Sequence, residues 1–323
     1  MIKSVNKYIV KHNLIKQNDT IIIGLSGGPD SVFLLHMFMH IKKEYNLTLI
    51  AAHLNHEWRA EADEEEKLCQ TIAQKYNIIF VSQKLSQLPI MIKPNGSKEE
   101  YARKMRRFFL EKIVREHNAN SIALAHHAQD QQETFFIRLI RGTSLTGLTA
   151  IKPQHGLYIR PLLETNKTEI LTWLNNHKIP YATDISNESP LYLRNRIRTT
   201  VLPALQACDN RFDSNFLSTL ERLKQDDAYL TRITHQTFDA ITTTLDNNYQ
   251  LDISAFFKTD PALHHRLIIH WLITQNIQFS LSQAFFDEIL RFLQSPRGGT
   301  HVINQALSII KKQNTAHIIT TER

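Results

Sequence analysis

The sequence predicts an α/β fold, a doubly wound parallel sheet of five strands, followed by a linker helix and a smaller α+β C-terminal domain. Three observations predict it. Apolar runs at Ile21–Ile23, Leu47–Leu54, Ile78–Leu85, Ser121–Ala125 and Gly156–Leu163 alternate with amphipathic stretches of helical period, the pattern of a sheet covered on both faces. The first run passes directly into Ser26-Gly27-Gly28-Pro29-Asp30-Ser31, a tight turn that opens a helix. Polar clusters stand just beyond the second and fourth runs, where an open parallel sheet holds its ligand.

With 323 residues, the chain can bury two cores. No apolar run approaches the roughly 18 to 20 residues of a membrane span, and the N-terminus lacks a signal-peptide core, so a cytoplasmic protein without membrane partners is expected. Its two cysteines, Cys69 and Cys208, form no Cys-x-x-Cys pair and are read as reduced core residues. The net charge of +7 is uneven: residues 1–212 hold 28 Lys/Arg against 20 Asp/Glu, residues 213–323 hold 10 against 11. A basic first domain (1–212) suits a polyanionic partner, although basic surface alone is weak evidence for nucleic acid.

In chain order, Met1–Ile15 reads as a packing helix and Leu47–Leu54 as a strand ending in His53-Leu54-Asn55-His56. Ala60–Asn77 is a helix whose first turns carry Glu61, Asp63, Glu64, Glu65 and Glu66. That run is read as a solvated start favoured by the helix dipole rather than a metal site. Ser97 with Glu100 resembles a capping box opening a helix to His117, whose face carries Arg103, Arg106 and Arg107. A solvated face and a phosphate-facing one fit that pattern equally. The fourth strand runs into His126-His127-Ala128-Gln129-Asp130-Gln131-Gln132-Glu133 and a helix stopped by Gly142. Lys167–His177 is helical; Asp184–Leu202 is irregular, then helical, with Arg194, Asn195, Arg196 and Arg198 crowded together. The second domain (213–323) reads as a helix over Phe212–Leu245, a short strand near Leu251, helices over Pro261–Gln275 and Leu281–Gln294, and closing strands in Val302–Ile319.

The glycine loop is the chemical centre. Backbone N–H groups of Ser26, Gly27 and Gly28 at a helix N-terminus form an anion pocket, which points to a nucleotide phosphate. Neither Gly-x-x-x-x-Gly-Lys-Ser/Thr nor Gly-x-Gly-x-x-Gly occurs, so kinase-type P-loops and dinucleotide folds are excluded. Adjacent His126 and His127 cannot easily share one metal, which argues against zinc. Asp130 and Glu133, three residues apart in a first helical turn, lie on one face and point toward the same crevice.

The pattern Ser-Gly-Gly-x-Asp-Ser resembles the pyrophosphate loop of the N-type ATP pyrophosphatases, the PP-loop family. Further matches resemble the bacterial tRNA(Ile)-lysidine synthetases: Tyr101-Ala102-Arg103 with Arg106, Leu124-Ala125-His126-His127 with Asp130 and Glu133-Thr134, Arg141-Gly142, Arg160-Pro161-Leu162, and Asp184-Ile185-Ser186-Asn187 followed by Tyr192, Arg194-Asn195 and Ile197-Arg198. The resemblance implies strand order 3-2-1-4-5 and a C-terminal tRNA-binding domain. It implies ATP and Mg²⁺, with Ser26, Gly27, Gly28, Pro29, Asp30 and Ser31 around the pyrophosphate and Asp30 and Asp130 at the metal. Arg106 and Arg198 would balance phosphate charge. Asp130 and Glu133 would hold a free L-lysine, with His126 or His127 sharing the proton transfer. The implied partner is tRNA(Ile) with a CAU anticodon, and a homodimer is compatible with the sequence. Gln129 departs from the resemblance, standing where an Asp is common. Arg107 and Trp58 depart too, without removing a group the chemistry demands. Thiolating relatives need cysteine motifs absent here, amidating ones need an ammonia source, and a non-catalytic ATP-sensing RNA-binding protein would have no use for Asp30, Asp130 and Glu133.

Overall fold

A computed structural model describes the chain except residues 59–60, 90–97, 150, 183–191, 246–247, 276–281, 305–306 and 321–323. The Ser97 capping box and Asp184-Ile185-Ser186-Asn187 lie outside the described residues. Two compact units are formed, Met1–Glu221 and Arg222–Arg323.

The first unit alternates helix and strand: α1 (Ile2–Lys11), β1 (Thr20–Gly24), α2 (Pro29–Ile41), β2 (Thr48–Asn55), α3 (Ala62–Lys75), β3 (Ile79–Lys84), α4 (Lys98–His117), β4 (Ser121–Ala123), α5 (Ala128–Arg141), the single turn α6 (Leu145–Leu148), β5 (Gln154–His155), β6 (Tyr158–Ile159) and α7 (Lys167–Asn176). The sheet order is β3-β2-β1-β4-β6-β5. Five strands run parallel in the expected order 3-2-1-4-5, with β6 as the fifth; the two-residue β5 adds an antiparallel edge that the sequence did not suggest. The fifth strand is also shorter than the expected Gly156–Leu163, because Pro161 has no N–H for the ladder.

Side-chain alternation sets the layers. Ile21 and Ile23 of β1 pack into a core with Val5, Phe33, Phe38, Ile72, Ile170 and Leu174, which is the face covered by α1, α2, α3 and α7. Ile22 points the other way, into Met105, Phe109 and Ile113 of α4. β1 is therefore buried on both sides, and its neighbours β2 and β4 lie on opposite flanks. The reversal of strand order at β1/β4 opens the crevice at their carboxyl ends.

After α7 comes one continuous helical run, α8 (Leu193–Arg196), a π-helical turn (Ile197–Val201) and α9 (Leu202–Cys208). Pro203 supplies a reason for the widened turn, since it cannot donate to the carbonyl four residues back. Cys69 is buried as expected, but Cys208 is exposed on the last turn of α9 and is not a core residue.

α10 (Phe212–Ile241) starts in the first unit: Phe216 packs on Phe135 of α5 at 5.2 Å between ring centroids. The units divide inside this helix, at Glu221/Arg222, whereas the sequence placed the boundary at 212/213. The second unit holds β7 (Thr242–Leu245), β8 (Asn248–Asp252), α11 (Ile253–Lys258), α12 (Pro261–Thr274), α13 (Gln283–Gln294), β9 (Gly299–Asn304), β10 (Leu307–Lys312) and β11 (Thr315–Thr320). The strands form an antiparallel sheet, β7-β8-β11-β10-β9, around a core of Phe238, Phe256, Leu267, Trp271, Ile289 and Ile309. The expected helix through Leu245 ends earlier because Thr242–Thr244, a β-branched run, pairs with β8 instead.

Candidate active site

The loop after β1 shapes itself. Gly27 has φ +84°, and a Cβ there would lie 3.4 Å from Cys69 Sγ, so only glycine fits without strain. Ser31 Oγ donates to the Gly28 carbonyl (2.9 Å) and accepts from the Ser26 N–H (3.1 Å). The Ser26 amide and the Ser31 hydroxyl hydrogen are thus committed inside the loop, while Ser26 itself is exposed. Pro29, at the first turn of α2, starts the helix with no wasted donor, and Asp30 follows with its carboxylate in the crevice. Beneath the loop, buried His53 bonds the Leu25 carbonyl through Nδ1 (2.9 Å).

The segment after β4 brings the second group. His127 Nε2 stands 3.6 Å from Asp30 Oδ2 and 3.6 Å from Asp130 Oδ2, bridging the glycine loop and α5. Asp130 Oδ2 also accepts the His127 N–H at 2.9 Å, closing the first turn of α5. Asp130 Oδ1 accepts from Arg194 Nη2 at 2.5 Å. Glu133, only 1% exposed, accepts Arg194 Nε on one oxygen and Arg198 Nε on the other, both at 2.6 Å. Arg198 adds an Nη2 bond at 3.2 Å. On the loop side, Lys167 Nζ donates to Asp30 Oδ2 at 3.1 Å. One chain of contacts therefore runs Lys167, Asp30, His127, Asp130, Arg194, Glu133, Arg198.

The charges within it are sorted. Burial works against ionising Asp30, but His127 and Lys167 outweigh it and hold the carboxyl below its usual pKa. For Asp130, burial is likewise outweighed by His127, His126 and Arg194. His127 is disfavoured as a cation by burial, yet the carboxylates of Asp30 and Asp130 raise its pKa above the ordinary imidazole value. Its neighbour His126 goes the other way, pushed down to about 4 chiefly by burial, with Arg160, Arg194 and Arg106 adding to the fall. The two adjacent histidines are thus pushed in opposite directions, His127 up by its carboxylate neighbours and His126 down by burial.

The site brings together Asp30, His126, His127, Asp130, Glu133 and Arg198 with the loop residues Ser26 to Ser31. Arg106, on α4, also bears on the site: its charge is among those that depress His126 and His53, and burial lowers its own pKa. Arg107 turns away, paired with Glu111 at 2.7 Å. Sequence reasoning did not assign Arg194 or Lys167 to the site. Arg194 was visible as part of a basic cluster and of the matched stretch Arg194-Asn195, without a role, and Lys167 only as the start of a helix. Gln129 has a role of its own, accepting the Lys167 backbone N–H at 3.0 Å.

A magnesium ion prefers a few carboxylate oxygens and keeps several waters, leaving other positions for phosphates. Asp30 fits, because its Oδ1 is buried without a hydrogen-bond partner. Asp130 has both oxygens engaged and would fit only after releasing Arg194. Among the described residues no group of three or more His, Cys, Asp or Glu is placed to hold a metal by itself.

Residues 1–205 match the PP-loop domain family. The tRNA(Ile)-lysidine synthase of Clostridium tetani is 31% identical over 334 residues, covering 100% of this chain and 70% of that protein. The tRNA(Ile)-lysidine synthase of Bacillus cereus is 31% identical over 302 residues, covering 91% of this chain and 63% of the relative. This chain thus spans about two thirds of the length of the curated relatives it matches. Among solved structures, the U34-tRNA thiolase NcsA of Methanococcus maripaludis, described with its [4Fe-4S] cluster, superposes with a TM-score of 0.58 at 19% identity, over 69% of this chain and 78% of that one. That likeness concerns the fold alone.

Proposed function

The chain belongs to the PP-loop domain family and, within it, to the tRNA(Ile)-lysidine synthases, and from that premise we propose that it joins lysine to C2 of the wobble cytidine in the CAU anticodon of tRNA(Ile). The reaction has two balanced steps. The cytosine O2 attacks the α-phosphate of ATP, and pyrophosphate leaves. The lysine side-chain amine then attacks C2, a C–N bond forms, and AMP departs with the O2 oxygen while the amine gives up a proton.

The observation that carries this reading is the continuous contact chain from Asp30 in the glycine loop to Glu133 and Arg198. It joins an anion pocket to an amine pocket across one crevice. Mg²⁺, held through Asp30, would neutralise charge on the departing pyrophosphate. Gly27 and Gly28 allow close backbone approach to that group, and the α2 N-terminus favours its charge.

At the other end, two carboxylates (Asp130, Glu133) face two guanidinium groups (Arg194, Arg198), a quartet of zero net charge. An amine docking there finds acceptors without an excess of negative charge to hold its proton. A free lysine amine, with a pKa of about 10.4, must lose that proton to attack. Of the two histidines, His126 has its pKa pushed down to about 4, chiefly by burial, and stands as a neutral ring, whereas the carboxylates of Asp30 and Asp130 raise that of His127. His127 therefore positions the two carboxylates.

The C-terminal unit serves tRNA binding in this reading, and a tRNA substrate fits the expected cytoplasmic location. The test is direct. The purified protein, incubated with ATP, Mg²⁺, lysine and CAU-anticodon tRNA(Ile), releases AMP and leaves a wobble base whose mass has grown by one lysine less one water. AMP release with an unchanged base would refute lysidine formation.

A further inference from the structure

The charged groups of the site come from segments far apart in sequence, and one carboxylate outside the contact chain touches three of those segments. Asp213 lies in the first turn of α10, where its charge suits the helix dipole. Its Oδ1 accepts from Gln132 Nε2 at 2.7 Å, and Gln132, 0% exposed, stands in α5 between Asp130 and Glu133. Its Oδ2 accepts from Asn166 Nδ2 at 3.4 Å; Asn166 caps α7 by accepting the Thr168 N–H at 2.9 Å. Both oxygens accept from Gln206 Nε2, at 3.1 and 3.2 Å, and Gln206 belongs to α9, the end of the helical run that carries Arg194 and Arg198. The other amide atom of Gln132, Oε1, is buried with no partner among the described residues, so Asp213 is what holds that side chain. Beside the carboxylate, Phe216 of α10 packs edge-on against Phe135 of α5, with ring centroids 5.2 Å apart and planes at 89°. The start of α10 is therefore seated on α5 by polar and apolar contact together.

We propose that Asp213 is a positioning residue for the reaction: it locks the start of α10 to these three segments and thereby keeps Asp130 and Glu133 aligned with Arg194 and Arg198. The assignment rests on the ATP-using reading given above. The ion pairs at issue are short, 2.5 to 2.6 Å, and they join α5 to the helical run after α7, so a small slide of either element spoils their alignment. Catalysis responds steeply to displacements of that kind, by about a hundredfold for an ångström. The three donors are amides, which hold the Asp213 carboxylate without a cation that would draw Asp130 or Glu133 away from the arginines. α10 continues past Glu221 into the second unit, so a displacement of this helix reaches the site through Asp213.

The test uses the full chain carrying Asp213→Ala, Gln132→Ala or both, assayed well below the Tm of each variant. With ATP, Mg²⁺, lysine and CAU-anticodon tRNA(Ile), Asp213→Ala lowers kcat for AMP release by about ten- to a hundredfold and leaves KM for tRNA within about threefold, the split expected of a residue that aligns other groups. The double variant is no slower than Asp213→Ala, because the two side chains act as one unit. Hydrogen exchange gives a readout that needs no turnover: amides of residues 128–133 and 166–170 exchange faster in Asp213→Ala, while those of β1 and α2 keep wild-type rates. A raised KM for tRNA at unchanged kcat, or losses that add in the double variant, would overturn the proposal. Exchange raised uniformly across the first unit would mean a merely structural residue and overturn it too, as would exchange raised nowhere. Faster exchange confined to those segments, in a protein whose wild type releases no AMP with tRNA and lysine, would sink the lysidine reading while leaving Asp213 as the lock on them. AMP release by the wild type together with full kcat in Asp213→Ala would do the reverse.

Discussion

Replacing Glu133 by Gln keeps the side chain's shape and removes its charge. The carboxylate is nearly sealed from solvent and accepts three hydrogen bonds from Arg194 and Arg198. In the variant, one acceptor oxygen survives, and the new NH₂ faces a guanidinium donor. Each charge-assisted bond is worth about 1.5–3 kcal/mol, but both arginine side chains are more than a third exposed and can turn to water, which discounts the loss. A net destabilisation of about 2 kcal/mol follows, or a fall in Tm of about 4–8 °C for a domain of this size. The functional effect separates the two half-reactions. Removing one negative charge shifts the quartet from neutral to +1, so lysine loses an acceptor and meets repulsion, and KM for lysine rises about 10- to 150-fold. Adenylation should change much less, so adenylated tRNA accumulates at low lysine. Rapid-quench assays of AMP, adenylated tRNA and lysidine over a lysine titration measure this. An unchanged KM for lysine with adenylation lost to the same degree as the whole reaction would refute the amine-pocket assignment.

Other outcomes follow from the same geometry. Asp30→Ala should abolish adenylation while leaving the circular dichroism spectrum of the wild type; retained AMP formation would remove Asp30 from the chemistry. The His127 clamp predicts a pH signature. The raised His127 pKa contributes stability fully below about pH 6.5 and loses it as pH climbs through the raised value, whereas the lowered pKa values of Asp30 and Asp130 contribute above about pH 3.9 and are lost on acidification. The stability gap between wild type and Asp30→Asn should therefore be widest between about pH 4 and 6.5 and should narrow in alkali; a difference in urea unfolding that stays flat from about pH 5 into alkali would contradict the clamp. Gly27→Ala forces a side chain into φ +84° against Cys69 and should cost about 1–2 kcal/mol, with nucleotide affinity falling too; an unchanged Tm would show the turn to be tolerant. The excess positive charge lies in residues 1–212, so a fragment ending at Glu221 should keep most of the slope of log tRNA affinity against log salt while losing affinity and selectivity. Loss of most of that slope would place the phosphate contacts in the second unit. The cut belongs after 221 because Asp213 and Phe216 are packed within the first unit.

Local signals determined much of this protein. The apolar period of Ile21–Ile23, the glycine turn after it and the polar residues closing β2 and β4 are written in short stretches, because strand burial, turn conformation and helix starts depend on neighbours a few residues away. They were enough for the alternation of strand and helix, for the phosphate loop, and for Asp130 and Glu133 on one helical face. Strand lengths were less legible: β6 stops at Pro161, and Thr242–Thr244 leaves the helix, since both depend on which backbone lies alongside. Tertiary structure alone decided the partners of the charged groups. Asp30 and Lys167 are 137 residues apart, and Glu133 and Arg198 are 65 apart. No periodicity links such positions. The same holds for the split between His126 and His127, two identical side chains in sequence. Burial lowers the pKa of one, while two carboxylates raise that of the other, and protonation is set by the surrounding dielectric and charge rather than by residue type.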